Sequence, residues 1–158
     1  LAHSAPPLPD DALHLLVVDD DRRIRALIAR YLTGQGYRVT AAGTAEEARA
    51  KLKALSFDLI ILDPPKLIRG RAEIEEGRHK YYDLNRLAMQ LVNPGGLLLT
   101  CSCSGLLDMA EFTRIVCAAP EVGRRGQIFA KGGAAPDHPI STNCPETEYL
   151  KTIWLRLD

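Results

Sequence analysis

With 158 residues, 20 basic and 20 acidic side chains, the chain has the length of one ordinary domain and a formal net charge of zero. Neutrality gives no overall electrostatic attraction for nucleic acid, which disfavours an RNA partner. No run of about 18 apolar residues suits a membrane span, and no basic segment followed by an apolar run marks a secretion signal. The four cysteines lack the spacing of a zinc site or a disulfide framework. We therefore expect a cytoplasmic monomer with reduced thiols and no membrane segment.

Strand and helix signals alternate along the first half of the chain. A proline-rich flexible tail is predicted at residues 1–11, a strand at 13–18 and an amphipathic helix at 24–32. A second strand at 37–41 and a second helix at 44–55 follow. Gly34 and Gly36 end the first helix, and Thr44 with Glu47 predicts a capping box for the second. The apolar run at 57–62 does not alternate, which predicts a strand covered on both faces.

The second half continues the alternation. It predicts a helix at residues 71–92, a strand at 97–102 and a helix capped by Asp108. Two further strands follow at 125–130 and 149–157. The apolar stripe of the helix at 71–92 consists of Leu84, Leu87, Ala88, Leu91 and Val92. Six strands that alternate with helices predict a single three-layer α/β/α sandwich over residues 12–158, with parallel crossovers.

Three carboxylates follow predicted strands: Asp19, Asp20 and Asp63. Because the C-terminal ends of parallel strands meet at one edge of the sheet, where ligands bind, we expect these side chains to lie close together. Crowded carboxylates repel one another unless a cation is bound or one of them is protonated, and Mg²⁺ prefers oxygen ligands. The sequence therefore predicts a Mg²⁺ site at these three residues. The alternative is that the aspartates only cap helices.

A consistent pattern runs through the first half: Leu-Val-Val-Asp-Asp-Asp at 16–21, Ile24-Arg25, Leu32, Gly36-Tyr37, 45–48 and 57–63. With these features residues 14–63 resemble the first half of a bacterial response-regulator receiver domain. The resemblance implies a strand order that begins 2-1-3, Asp63 as the phosphoacceptor, Asp19 and Asp20 as Mg²⁺ ligands, and a small phosphodonor as partner. The receiver pattern stops after Asp63, where Pro64-Pro65-Lys66 follows.

A second series of motifs begins at the same place: Asp63-Pro-Pro-Lys66, Tyr82-Asp-Leu-Asn85, Pro94-Gly-Gly96, Thr100-Cys-Ser-Cys-Ser104, Asp137-His-Pro139 and Pro145-Glu146 before Tyr149-Leu-Lys151. With them residues 57–157 resemble the C-terminal half of a class I S-adenosylmethionine-dependent 23S ribosomal RNA cytosine-5 methyltransferase. The resemblance implies that Cys103 is the nucleophile, that Asp63 contacts the cytosine ring and that Lys66 holds the substrate. It also implies a Rossmann- or flavodoxin-like six-stranded sheet of order 2-1-3-4-6-5, with strand 6 antiparallel.

The binding features for the methyl donor are missing. The turn after the first strand, residues 19–22, has no glycine, and no acidic residue follows the second strand at 41–44. We therefore expect no S-adenosylmethionine binding.

The two resemblances meet at the strand 57–62, which predicts a hybrid, engineered or recombined, with a receiver-like part at 12–63 and a methyltransferase-like part at 64–158. We expect a scaffold without a complete native active site or full enzymatic activity, which retains Mg²⁺ binding and phosphoacceptance at Asp63. The alternative is an S-adenosylmethionine-dependent RNA cytosine-5 methyltransferase that uses Cys103. The helix 71–92 is expected to meet either the first helix of the receiver-like part or its sheet surface. Imperfect packing there predicts loose contacts at four residues: Ile24, Leu27, Leu84 and Leu87.

Overall fold

The computed structural model describes residue 9 and residues 11–19, 21–136 and 138–158. Most of the predicted tail at 1–11 lies outside this part of the chain. The elements are β1 (His14–Val18), α1 (Arg22–Gly34), β2 (Arg38–Ala42), α2 (Ala45–Leu52), β3 (Phe57–Leu62), α3 (Ile74–Leu91), β4 (Val92–Ser102), α4 (Met109–Ala118), β5 (Gly126–Gly132) and β6 (Lys151–Leu157). Short 3₁₀ turns lie at Arg71–Glu73 and Pro145–Thr147.

The strands form one sheet in the order β2-β1-β3-β4-β6-β5. The pairs among β2, β1, β3 and β4 are parallel, whereas β6 is antiparallel to both of its neighbours. The predicted order and the direction of strand 6 are therefore confirmed. None of the described helices is long and apolar enough to cross a membrane.

Helices lie on both faces of the sheet. From β1 to β2 the chain moves toward one edge of the sheet, and in the later parallel connections it moves toward the other edge. Because parallel crossovers are right-handed, α1 lies on one face of the sheet and α2, α3 and α4 lie on the other. Leu15 and Val17 point to the α1 face and are buried, while Leu16 points to the other face.

Local capping agrees with the sequence. The Asp21 carboxylate accepts hydrogen bonds from the first turn of α1, and the Asp108 carboxylate accepts one from the amide of Glu111 in α4. The amide of Glu47 donates to Thr44 Oγ1 over 3.0 Å, and Glu47 Oε2 accepts from the amide of Gly43 over 2.7 Å. The predicted capping box is thus present, with its second bond displaced by one residue from the capping position.

The core is concentrated on the face that carries α3 and α4. Tyr81, Phe57 and Phe112 are the largest fully buried side chains. The rings of Tyr81 and Phe112 meet edge to face, with centroids 5.6 Å apart. This contact joins α3 to α4.

The buried face of α3 differs from the predicted stripe. Its buried residues are Gly77, Tyr81, Asn85, Ala88 and Met89. Leu84 and Leu87 are only half-buried, because the helix is rotated so that the side bearing Tyr81 packs against α4. The helix also begins at residue 74 and ends at 91, after the 3₁₀ turn and before the longer β4.

The predicted contact of the helix 71–92 with Ile24 and Leu27 is wrong. These two α1 side chains are 48% and 58% exposed. The physical reason is topological, because α1 and α3 lie on opposite faces of the sheet. The helix that shares a face with α3 on the receiver-like side is α2.

Candidate functional site

Two of the three predicted carboxylates meet at the C-terminal edge of the sheet. Asp19 follows β1, Asp63 follows β3, and these strands are parallel neighbours. The Asp63 side chain reaches solvent, yet burial by the atoms around it, and then the charge of Asp19, raise its pKa above the ordinary value. Asp20, the third predicted ligand, lies outside the described residues.

Hydrogen bonds within the turn after β1 assign different roles to its aspartates. Asp19 Oδ1 accepts from the amide of Asp21 over 2.7 Å, and Asp21 Oδ1 accepts from the amides of Arg23 and Ile24. Asp21, which was not among the three predicted carboxylates, is therefore the cap of α1. Asp19 shapes the turn and at the same time interacts with the charge of Asp63.

A guanidinium lies in the crevice between the ends of β1 and β2. Arg25 Nη1 donates to the carbonyl oxygen of Asp19 over 2.5 Å. Its Nη2 lies 3.0 Å from the position that a β-carbon on Gly43 would take. Class I sheets hold the ribose end of a nucleotide-like cofactor in the space between the turn after the first strand and the end of the second strand. Arg25 fills part of that space.

The turn that carries Cys103 is held by a buried polar network. The Tyr81 hydroxyl and Ser104 Oγ are 2.9 Å apart, and the amide of Ile68 donates to Ser104 Oγ over 3.1 Å. Lys151 Nζ donates to the carbonyl oxygens of Ser104, over 3.0 Å, and of Tyr149, over 2.6 Å. The network fixes the position of this turn relative to α3 and to the loop that follows Asp63.

Cys103 is half-buried at the end of β4, close to a buried ammonium group. Lys151 is only 7% exposed. Burial lowers the pKa of Lys151, while the negative charges of Cys103, Asp108 and Glu148 oppose this shift. The sequence pattern did not indicate Lys151 as a site residue, because only its pairing with Ser102 across β6 and β4 brings it to Cys103.

The neighbouring thiol, Cys101, has a different environment. Burial raises the pKa of Cys101 to about 12, and the charges of Asp63 and Cys103 add to the shift. A thiol of this kind remains protonated at neutral pH and is a poor nucleophile. Of the two cysteines in the motif, Cys103 is the one with access to solvent.

An apolar cavity of about 900 Å³ opens beside these groups. Asp63 and Cys103 both line it, and the other polar side chains of the lining include Asp19, Arg49, His138 and Tyr149. It continues between α2 and α3 over the floor formed by β1 and β3. Lys66 is exposed on the loop after Pro65 and is not among the described residues that line the cavity.

Thr100 and Lys131 are the residues that would stand in for the switch hydroxyl and the lysine of a receiver domain. Lys131 is on β5, and both β6 and β4 lie between β5 and the strand that carries Asp63, a separation of about 14 Å at ordinary strand spacing. Thr100 is fully buried, and its hydroxyl has no hydrogen-bond partner among the described residues. The insertion of β6 between β4 and β5 thus separates Lys131 from Asp63.

Two segments of the chain match different families. The family model of the response regulator receiver domain matches residues 15–65. Ribosomal RNA large subunit methyltransferase I from Pseudoalteromonas atlantica is 47% identical over 104 residues, which cover 65% of this chain and 26% of that protein. The protein of the same name from Aeromonas salmonicida is 47% identical over 105 residues, or 66% of this chain and 26% of the relative. The chain therefore spans about a quarter of the length of these curated relatives.

Solved structures are similar in fold. A Streptococcus mutans protein described as a SAM-dependent methyltransferase superposes with a TM-score of 0.63 at 16% identity, covering 89% of this chain and 38% of that one. A methyltransferase homologue from Pyrococcus horikoshii gives a TM-score of 0.56 at 19% identity, covering 89% and 52%. These likenesses show the fold. The two sequence matches support a hybrid, in which a receiver-like and a methyltransferase-like segment share one sheet.

Proposed function

We propose that this chain is an engineered or recombined hybrid whose retained activity is Mg²⁺-dependent acceptance of a phosphoryl group at Asp63. The observation that carries the proposal is the convergence of Asp19 and Asp63 at the ends of β1 and β3. Both residues lie within the segment that matches the receiver family model, so one parental segment supplies the pair.

The reaction exchanges one bond at phosphorus. An Asp63 carboxylate oxygen attacks the phosphorus of a small phosphodonor such as acetyl phosphate. The bond from phosphorus to the acetate oxygen breaks, and acetate leaves with the electron pair. The product is an aspartyl phosphate.

Like charges oppose this reaction at the sheet edge. Asp19 and Asp63 are the described residues that would hold a Mg²⁺ ion, whose positive charge would offset the repulsion between the carboxylates and the phosphoryl group. The described residues contain no group of three or more His, Cys, Asp or Glu side chains that could hold a metal, and Asp20, the third predicted ligand, lies outside them.

Phosphoacceptance is proposed without a receiver-type switch. The Thr100 hydroxyl is buried in the core, and Lys131 lies beyond β6 and β4. We therefore expect phosphorylation to change the sheet edge locally and to leave the positions of β4 and β5 unchanged.

Intact-mass spectrometry after incubation with acetyl phosphate and Mg²⁺ tests the proposal. The wild type should gain the mass of one phosphoryl group, whereas Asp63→Asn should gain none. Asp83→Asn, an exposed position on α3, is the matched control and should behave as the wild type. Equal incorporation in Asp63→Asn, or none in the wild type, would show that the proposal is wrong.

The second candidate function is RNA cytosine-5 methylation through Cys103. It is favoured by the presence of Asp63 and Cys103 in one cavity and by 47% identity to a ribosomal RNA methyltransferase over 104 residues. The donor side does not fit, since Arg25 lies between the turn after β1 and the end of β2, and three carboxylates follow the first strand directly. Calorimetric titration with S-adenosylmethionine decides between the candidates: heat of binding at millimolar donor would favour methylation.

A further inference from the structure

The space between α2 and α3 is apolar along most of its length. The side chains of the floor come from β1 and β3, and those of the walls come from the two helices: Leu16, Ile60, Leu62, Leu52, Leu84 and Leu87. The volume of about 900 Å³ lies within the range of natural small-molecule sites. The cavity is therefore large enough for a ligand body and does not require one of its own side chains to move.

The cavity is open because the helices on its two sides belong to different segments. α2 lies within the receiver-like segment and has only eight residues, and α3 belongs to the methyltransferase-like part. Leu52 on α2 and Leu84 and Leu87 on α3 are half-buried and line the cavity. Their apolar surface is available to a ligand that excludes water from it.

One end of the cavity is acidic. Asp19 and Asp63 line it at the sheet edge, where their carboxylates repel each other. The cationic side chain in the lining, Arg49 of α2, is exposed, and so is His138. A positive group that enters between the two carboxylates relieves their repulsion, and charge-assisted hydrogen bonds to carboxylates are among the stronger ones.

We propose that this cavity binds a small amphipathic amine, with its aryl or alkyl body between α2 and α3 and its ammonium group at Asp63 and Asp19. A metal ion alone would satisfy the carboxylates and leave the apolar space unfilled, whereas a neutral hydrocarbon would fill the space and leave the carboxylates in repulsion. An amine on an apolar body does both. The proposal does not depend on phosphoacceptance, and an amine and Mg²⁺ should compete for the same carboxylates.

Isothermal titration of the full chain with 1-naphthylmethylamine and with 1-naphthylmethanol tests the proposal. The two probes share the apolar body and differ in charge. We expect the amine to bind at least about tenfold more tightly, since one charge-assisted hydrogen bond corresponds to roughly that factor. Added Mg²⁺ should weaken binding of the amine and leave that of the alcohol unchanged. Equal affinities for the two probes, or no binding of either, would overturn the proposal.

Two variants locate the bound probe. Asp63→Asn should remove the advantage of the amine and leave the affinity for the alcohol unchanged. Leu87→Phe should weaken both probes by filling the space between the helices, and Leu84→Phe serves the same purpose if the first variant does not fold. Unchanged binding of both probes to a folded filling variant would place them elsewhere and would also overturn the proposal.

Discussion

The hydroxyl of Tyr81 on α3 lies 2.9 Å from the hydroxyl of Ser104, and both residues are fully buried. The same Ser104 oxygen accepts the amide of Ile68, so one hydroxyl connects α3, the loop after Asp63 and the turn that carries Cys103. The loop and the turn bear Lys66 and Cys103, two substrate-side residues implied by the methyltransferase resemblance. Their relative positions therefore depend on a bond in the core and are independent of any ligand.

Replacing Ser104 by alanine should lower the free energy of unfolding by about 2 kcal/mol, because it leaves the Ile68 amide and the Tyr81 hydroxyl buried without their partner. Tyr81→Phe removes one bond and should cost about 1 kcal/mol. Urea denaturation measures both values. Tyr82→Phe, on the half-buried neighbouring position, is the control. A Ser104→Ala variant no less stable than this control would contradict the assigned role of the network.

Two helical glycines should respond to alanine in opposite ways. A β-carbon on Gly77 would lie 2.9 Å from the carbonyl oxygen of Leu67 and would also clash with Ile68, so Gly77→Ala should destabilise by about 1–3 kcal/mol. Gly34, the last residue of α1, has nothing within 4 Å of that position. Gly34→Ala should therefore stabilise by roughly 0.5 kcal/mol through helix propensity. Thermal or urea unfolding of the two variants decides, and equal effects would show that α3 is packed differently.

Asp63→Asn should stabilise the protein at neutral pH, because burial and Asp19 raise the pKa of the Asp63 carboxyl in the folded state. A raised pKa means that the folded state holds the proton more tightly than the unfolded state. The stability of the wild type then falls as the pH rises from the ordinary value of 3.8 through the folded value. Denaturation across this range should show the advantage of the variant growing with pH and then levelling off. An advantage that is constant down to the lowest pH would disagree with the pKa shift.

Alkylation with iodoacetamide should distinguish the cysteines. Cys117 and Cys144 are exposed and should react first, whereas Cys101 is buried and its thiol has a pKa of about 12. At about pH 8 roughly one Cys101 thiol in ten thousand is ionised, so its labelling should require unfolding. Peptide mass spectrometry over time reports each site separately. Rapid labelling of Cys101 in the folded protein would exclude the buried environment.

Amides in α2 should exchange with solvent faster than those in α4. The side of α2 that bears Leu52 faces the open cavity, whereas Phe112 and Val116 of α4 are fully buried in the core. Hydrogen exchange followed by NMR resolves the two helices. We therefore expect the loosely packed part of the protein at α2, and no longer at the α1 residues Ile24 and Leu27. Uniform protection of α2 and α4 would contradict it.

Local features could be predicted from the sequence because their causes lie within a few residues. The Thr44–Glu47 box and the Asp108 cap depend on short side chains that bond to nearby amides. The meeting of Asp19 with Asp63 could also be predicted, since the ends of parallel strands share one edge. The strand order came from the family resemblances, because no short-range pattern specifies which strand β6 joins.

Only the tertiary structure decided which side of each helix is buried and where a cavity remains between the two segments. Periodicity identified an apolar stripe on α3 at Leu84 and Leu87, but packing against α4 buries Tyr81 and Asn85 instead. Helical spacing shows which residues share one side of a helix. The neighbouring elements decide how the helix is rotated about its axis, and therefore which side is buried. For the same reason, the cavity between α2 and α3 and the approach of Lys151 to Cys103 arise from distant segments that the chain brings together.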